Sequence, residues 1–216
     1  MPLSGGESRS QSWAVSEPFQ GTFRDLALAR LNTLGQALPS RRVLPLAGAL
    51  LNLLDRWAEL PTTALGRANL QADVEALGSV FEVGVCVGNR GLEGLRLMIQ
   101  AEGHPQLRGS NWAESLRFSL ALRETFGANL ELFDALAPVF TPSGLRPAFT
   151  LRHELLLLGP TPSFRLHVVP REPGTRSTLV KLREALQRVG LSEAWEFVHP
   201  RMSHEAELLR LCVDLA

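Results

Sequence analysis

Residues 81–101, FEVGVCVGNRGLEGLRLMIQA, and residues 149–170, FTLRHELLLLGPTPSFRLHVVP, decide the fold. Each is a pair of alternating runs split by a turn of Gly, Asn, Pro or Ser, which predicts two β-hairpins. In the first, Phe81, Val83, Val85, Val87, Leu95, Leu97 and Ile99 fall on one face, and Glu82, Cys86, Arg96, Met98 and Gln100 on the other. In the second, the polar face carries Thr150, Arg152, Glu154, Arg165 and His167. Successive side chains point to opposite sides of a strand, so the sheet has one apolar side and one charged side. A charged side either meets water or lines a polar cavity.

Working outward, residues 23–38, 42–58, 62–77, 108–127, 129–140 and 172–190 show helical spacing of Leu, Val, Ala and Phe. Thr62 or Thr63 would cap the third helix. Ser110 or Asn111 would cap the fourth, which Gly127 would end. The fifth is expected to stop at Pro138. Gly190 would stop the sixth, with Val180 among its inward residues, and Ser192 would cap a short helix bearing Trp195 and Phe197. Residues 207–215, ELLRLCVDL, alternate again and predict a fifth strand with Arg210, Cys212 and Asp214 on its polar face. The order is a helical lead, ββ, α, ββ, α, β. The fold class is α+β: an antiparallel sheet, or a partial αββα barrel, with amphipathic helices on its outer, apolar face. If the sheet curls, its charged side becomes a lumen.

Residues 1–18 read as a flexible tail rich in Ser and Gly, and 19–216 as one domain, with a helical lead over 19–78 and the hairpin units over 79–216. The chain has 22 basic and 22 acidic residues, so no global charge draws it to nucleic acid or an anionic membrane. The polar strand face carries no aromatic residues on which bases could stack. No apolar run is long enough to span a bilayer, and the N-terminus lacks a secretory apolar region. Two cysteines, Cys86 and Cys212, make no disulfide framework and are expected as buried thiols. A reduced, cytoplasmic protein is the expectation. No phosphate loop, dinucleotide fingerprint, nucleophile elbow or zinc-type Cys/His spacing is present.

The second strands of the two hairpins carry Arg96-Leu97-Met98 and Arg165-Leu166-His167 inside apolar stretches. The run SFRLHVVPREPG (163–174) leads to a helix ending LQRVGL and then to SEAWEF (192–197). In these features, over about residues 80–215, the chain resembles the ABBA-type aromatic prenyltransferases, a family of repeated αββα units around a polar barrel. The resemblance implies that Arg96, Arg152, Arg165 and Arg210 bind an allylic diphosphate, as arginine holds phosphate bidentately. It implies that Met98 and His167 stand near the allylic group, where the family uses tyrosine; this chain has no tyrosine. Glu82 would accept the N–H of an aromatic acceptor, and His167 would serve as a general acid or base. No resident metal or cofactor is required, with Mg2+ an optional companion of the diphosphate. The family's barrel has roughly twice as many strands, so a homodimer is one way to close it and to remove the sheet edges. Two function classes follow. One is a small biosynthetic transferase joining an allylic diphosphate to an aromatic acceptor. The other is a non-catalytic ligand-binding or assembly module that uses the same face. Pairing of each arginine with Glu82, Glu154 or Asp214 across strands would favour the second.

Overall fold

The computed structural model describes residues 20–36, 43–54, 56–61, 81–89, 91–101, 110–141, 149–158, 161–170, 176–201 and 211–215. The helix read over 62–77, the tail read over 1–18 and Arg210 lie outside them.

Among the described residues there are five strands: β1 (Phe81–Gly88), β2 (Gly91–Ile99), β3 (Phe149–Leu157), β4 (Ser163–Pro170) and β5 (Leu211–Asp214). They form one antiparallel sheet in the order β1-β2-β3-β4-β5. Both hairpins therefore exist as the alternation predicts. Gly91, at φ 100°, turns the first one in a conformation that disfavours a side chain. Gly94 lets β3 come close: a Cβ there would sit 2.2 Å from the Leu157 carbonyl oxygen.

Among the described residues, helices pack on the apolar side of the sheet. They are α1 (Phe23–Gln36), α2 (Val43–Leu51), α3 (Ser110–Phe126), α4 (Glu131–Phe140), α5 (Arg176–Arg188) and α6 (Ser192–Val198). Strand side chains on this side meet helix rings: Phe81 and Phe23 pack edge to face at 5.8 Å, His153 and Phe118 at 4.8 Å, and Phe149 and Phe140 at 4.8 Å. Leu95, Leu97, Ile99, Leu155, Leu157, Leu166 and Val168 are fully buried between the sheet and its helices. Burying one such side chain stabilises the fold by about 1.5–3 kcal/mol, so this layer holds the sheet in place. An α+β fold with helices on the outer face is what the alternation of the strands requires.

Several local expectations change. The second helix stops at Leu51, and Arg56–Glu59 form a separate 3-10 turn. α4 does not stop at Pro138 but runs through it to Phe140. Proline only deprives one carbonyl of its donor, and the last turn is closed beyond it by the Thr141 N–H donating to the Ala137 carbonyl at 2.9 Å. Ser110 and Ser192 are first helical residues rather than caps, and the residue before Ser192, Leu191, makes no side-chain capping bond. Gly127 and Gly190, at φ 72° and 75°, do follow helix ends. Val180 and Phe197 are exposed, not packed inward. Cys86 is half-buried and Cys212 exposed, contrary to the expectation of two buried thiols.

Candidate active-site face

Strand register arranges the polar side of the sheet into cross-strand rows. One row runs Arg152, His167, Cys212 over β3, β4 and β5. The next runs Glu82, Met98, Glu154, Arg165, Asp214 over all five strands. A third holds Gly84, Arg96, Leu156 and Ser163. The predicted residues Glu82, Arg96, Met98, Arg152, Arg165 and His167 thus share one surface, as alternation demands. Arg210 is the one predicted site residue outside the described structure.

The centre of this face is dry and its margin wet. Met98, Glu154 and His167 are buried, as are Gln100 and Thr150. The side chains of Arg96 and Arg165 are 40% and 42% exposed, against 16% for Arg152. Two cations can therefore reach a solute while the third is held inside the sheet.

Glu154 is the hub. One carboxylate oxygen takes the Arg96 Nε–H; the other lies 2.9 Å from His167 Nε2 and 3.8 Å from Arg165 Nη1. Burial raises the Glu154 pKa, but the bonds from His167 and Arg96 and their charges outweigh it and hold the carboxyl below its ordinary value. Arg165 also reaches Asp214 at 3.7 Å, and Arg152 reaches Glu82 at 3.7 Å while donating from Nε to the Gln100 side-chain oxygen at 3.2 Å. Each described arginine of the face is therefore paired with a carboxylate. Glu82 partners Arg152 rather than Arg96. The three described arginines of these rows are thus matched by three carboxylates, Glu82, Glu154 and Asp214.

Residues outside the predicted set also belong here. Glu154 orients His167 and is the partner of two arginines. Gln100 positions Arg152. Cys212 comes into register with His167, and the ligand atoms of Glu154, His167 and Cys212 all lie within 4.8 Å of one another. Their sequence numbers give no metal-ligand spacing, because adjacency here comes from strand register across a long connection. A cleft of about 390 Å³ lies elsewhere, lined by Ala29, Arg30, Thr33, Leu34 and Val83, and contains none of the predicted residues.

No protein-family profile matches the sequence, and no curated protein matches it significantly. Solved structures do. The 5-dimethylallyl tryptophan synthase from Streptomyces coelicolor, in complex with DMASPP and Trp, superposes with a TM-score of 0.71 over 92% of this chain at 20% identity. The apo form of prenyltransferase PriB gives 0.68 over 90% at 24% identity. The 6-dimethylallyltryptophan synthase from Micromonospora olivasterospora, in complex with DMASPP and Trp, gives 0.66 over 89% at 20% identity. The chain has part of an ABBA-type prenyltransferase fold. It spans about half the length of these proteins, covering 55%, 54% and 55% of them. No helix among the described residues is long and apolar enough to cross a membrane.

Proposed function

We propose that this chain is a small ABBA-like transferase, cytoplasmic and biosynthetic. It joins an allylic group from a diphosphate donor to an aromatic acceptor on the polar strand face. The observation that carries this reading is the fold match over nine-tenths of the chain, combined with two half-exposed arginines on that face. In the reaction, the carbon–oxygen bond of the donor breaks and its electron pair leaves with the diphosphate. An aromatic carbon then bonds the allylic cation and loses its ring proton. Arg96 and Arg165 take the leaving diphosphate, with Arg152 behind them; Arg210 is proposed as a further diphosphate ligand. Any Mg2+ would arrive on the diphosphate rather than in a protein cage. Glu82 accepts the acceptor's N–H and stabilises the developing positive charge without a metal. Met98 lies beside the allylic group, and His167, held by Glu154, receives the ring proton.

Binding a diphosphate has to exchange partners, since Arg96 and Arg165 already contact carboxylates. Arg165 is the easier to recruit, because both its ion-pair contacts are 3.7–3.8 Å long. The charge-balanced face also favours a second reading, a non-catalytic binding or assembly module on the same sheet. Product formation separates them. Incubated with dimethylallyl diphosphate and tryptophan, the transferase yields a prenylated product, and Glu82→Gln lowers kcat by about 10²–10³-fold, the usual loss for one transition-state partner. Absence of product across a panel of indole and phenolic acceptors leaves the module.

The active assembly is a homodimer in this account. Among the described residues β1 and β5 are sheet edges. β1, FEVGVCVG, carries no Lys, Arg or Pro to guard it, and an unguarded apolar edge invites another strand. With an odd number of antiparallel strands, β1 and β5 run the same way. A closed, all-antiparallel barrel of two copies then joins β1 to β1 and β5 to β5 across a two-fold perpendicular to the barrel. Light scattering is expected to give twice the chain mass of 23.7 kDa. A monomer at all concentrations contradicts this assembly.

A further inference from the structure

We propose that Glu154, His167 and Cys212 form a binding site for a soft divalent metal ion of the zinc class. The site stands on its own geometry and does not depend on prenyl transfer. Three neighbouring strands, β3, β4 and β5, each supply one ligand. His167 and Cys212 are direct cross-strand partners, and Glu154 stands one row along on the far side of His167. The three ligand atoms lie within 4.8 Å of one another, a span that small side-chain rotations close to a common centre.

The donor set selects the ion. One thiolate, one imidazole and one carboxylate make a mixed sulfur–nitrogen–oxygen site, which suits zinc and disfavours magnesium, a cation that seeks oxygen and water. Three protein ligands leave a fourth position for water or a substrate oxygen, the arrangement of reactive rather than structural zinc sites. Glu154 and His167 are 5% and 3% exposed, so two ligands are fixed on a rigid, dry surface. Cys212 is exposed, which provides the access route.

Two arginines oppose a cation here, and their geometry limits the cost. Arg96 holds the Glu154 oxygen that faces away from His167. The other oxygen lies 2.9 Å from His167 Nε2; a metal bound between them displaces the Nε2 proton, which moves to Nδ1, so the ring stays neutral. Arg165 touches that oxygen at 3.8 Å and retains Asp214 at 3.7 Å, so it can withdraw without losing every partner. The metal brings two positive charges and the thiolate takes one back. The site therefore gains one unit of positive charge, close to Arg165.

Cobalt(II) titration of the full chain tests the site. Wild type is expected to develop a thiolate-to-cobalt absorption band in the near ultraviolet, which zinc(II) abolishes by displacement and magnesium does not. Cys212→Ser removes the band, His167→Gln weakens cobalt binding by about 100-fold, and Cys86→Ser changes neither. Far-ultraviolet circular dichroism of each variant shows whether it folds. Should Cys212→Ser lose structure, protection of Cys212 from iodoacetamide by zinc(II) in wild type supplies the same test. No band in wild type, no protection, or a band that follows Cys86 instead of Cys212 overturns the site.

Discussion

Acidification is expected to destabilise the protein well above the ordinary carboxylate range, and His153 is the cause. It lies on the apolar face of β3, 1% exposed, with its ring edge-on to Phe118 at 4.8 Å. The Ser119 hydroxyl donates to the Ser115 carbonyl at 3.0 Å, so it accepts from His153 Nε2–H at 2.8 Å. That fixes the neutral tautomer and leaves Nδ1 buried with no hydrogen-bond partner. Protonating Nδ1 would place an unpaired charge in the core. Burial, with a smaller contribution from the nearby His167, lowers the His153 pKa from 6.5 to about 3. The unfolded chain takes up this proton at the ordinary pKa and the folded chain does not. Stability is therefore complete above 6.5 and falls by about 1.4 kcal/mol per pH unit between 6.5 and about 3. Urea unfolding at pH 7, 6 and 5 measures it. His153→Leu should flatten that slope while costing stability at pH 7, because Ser119 loses its donor. Equal slopes in the two proteins would show that His153 is not the group responsible.

Glu154→Ala is expected to lower stability at pH 7 by about 2 kcal/mol. Removing one partner of a buried ion pair can cost about 3–5 kcal/mol, because the other charge is left without water or partner. Arg96 and Arg165 are 40% and 42% exposed, so they regain hydration and the cost is discounted. His167, at 3% exposure, cannot, and the loss falls mainly on its Nε2. The depressed Glu154 pKa adds a pH signature: its stabilising effect is present above the ordinary carboxylate pKa and fades as pH falls through the lower folded value. This window opens only below 4.5, inside the lower part of the His153 window, so unfolding between pH 7 and 5 reports His153 alone. Glu154→Gln, which keeps an oxygen acceptor and loses the charge, should fall between Ala and wild type in denaturant unfolding. A neutral result for Glu154→Ala would mean that the hub holds nothing together.

The strands were readable because alternation survives in the sequence even where the sheet's two sides differ only in charge. Phe81–Val87, Leu95–Ile99, Phe149–Leu155 and Phe164–Val168 show it, across a register shift at Cys86/Val87, and the α+β layering follows from burying one side. The helix ends were less readable. Pro138 is tolerated inside α4 because losing one N–H does not end a helix when the next turn is closed by Thr141. Ser110 and Ser192 look like caps because small hydroxyl residues favour helix starts, but the start can lie one residue earlier. Val180 fits the helical period yet points outward, since the period alone does not say how wide the buried stripe is. In the site, alternation selected the face but not the neighbours. Whether Glu82 pairs with Arg96 or Arg152 depends on register, which the turns and the β3–β2 pairing set. Cys212 and His167 are 45 positions apart and only the β4–β5 pairing brings them together. Glu154 is legible as the carboxylate with an arginine of its own face on each neighbouring strand, Arg96 on β2 and Arg165 on β4.

The central claim is that the polar face of this sheet takes an allylic diphosphate, and calorimetric titration with dimethylallyl thiodiphosphate tests it most directly. Wild type is expected to bind, and Arg96→Ala and Arg165→Ala each to weaken binding by about tenfold or more, the scale of one charge-assisted contact. No heat with wild type, or binding that neither substitution alters, would contradict the claim and leave the sheet as a surface for another partner.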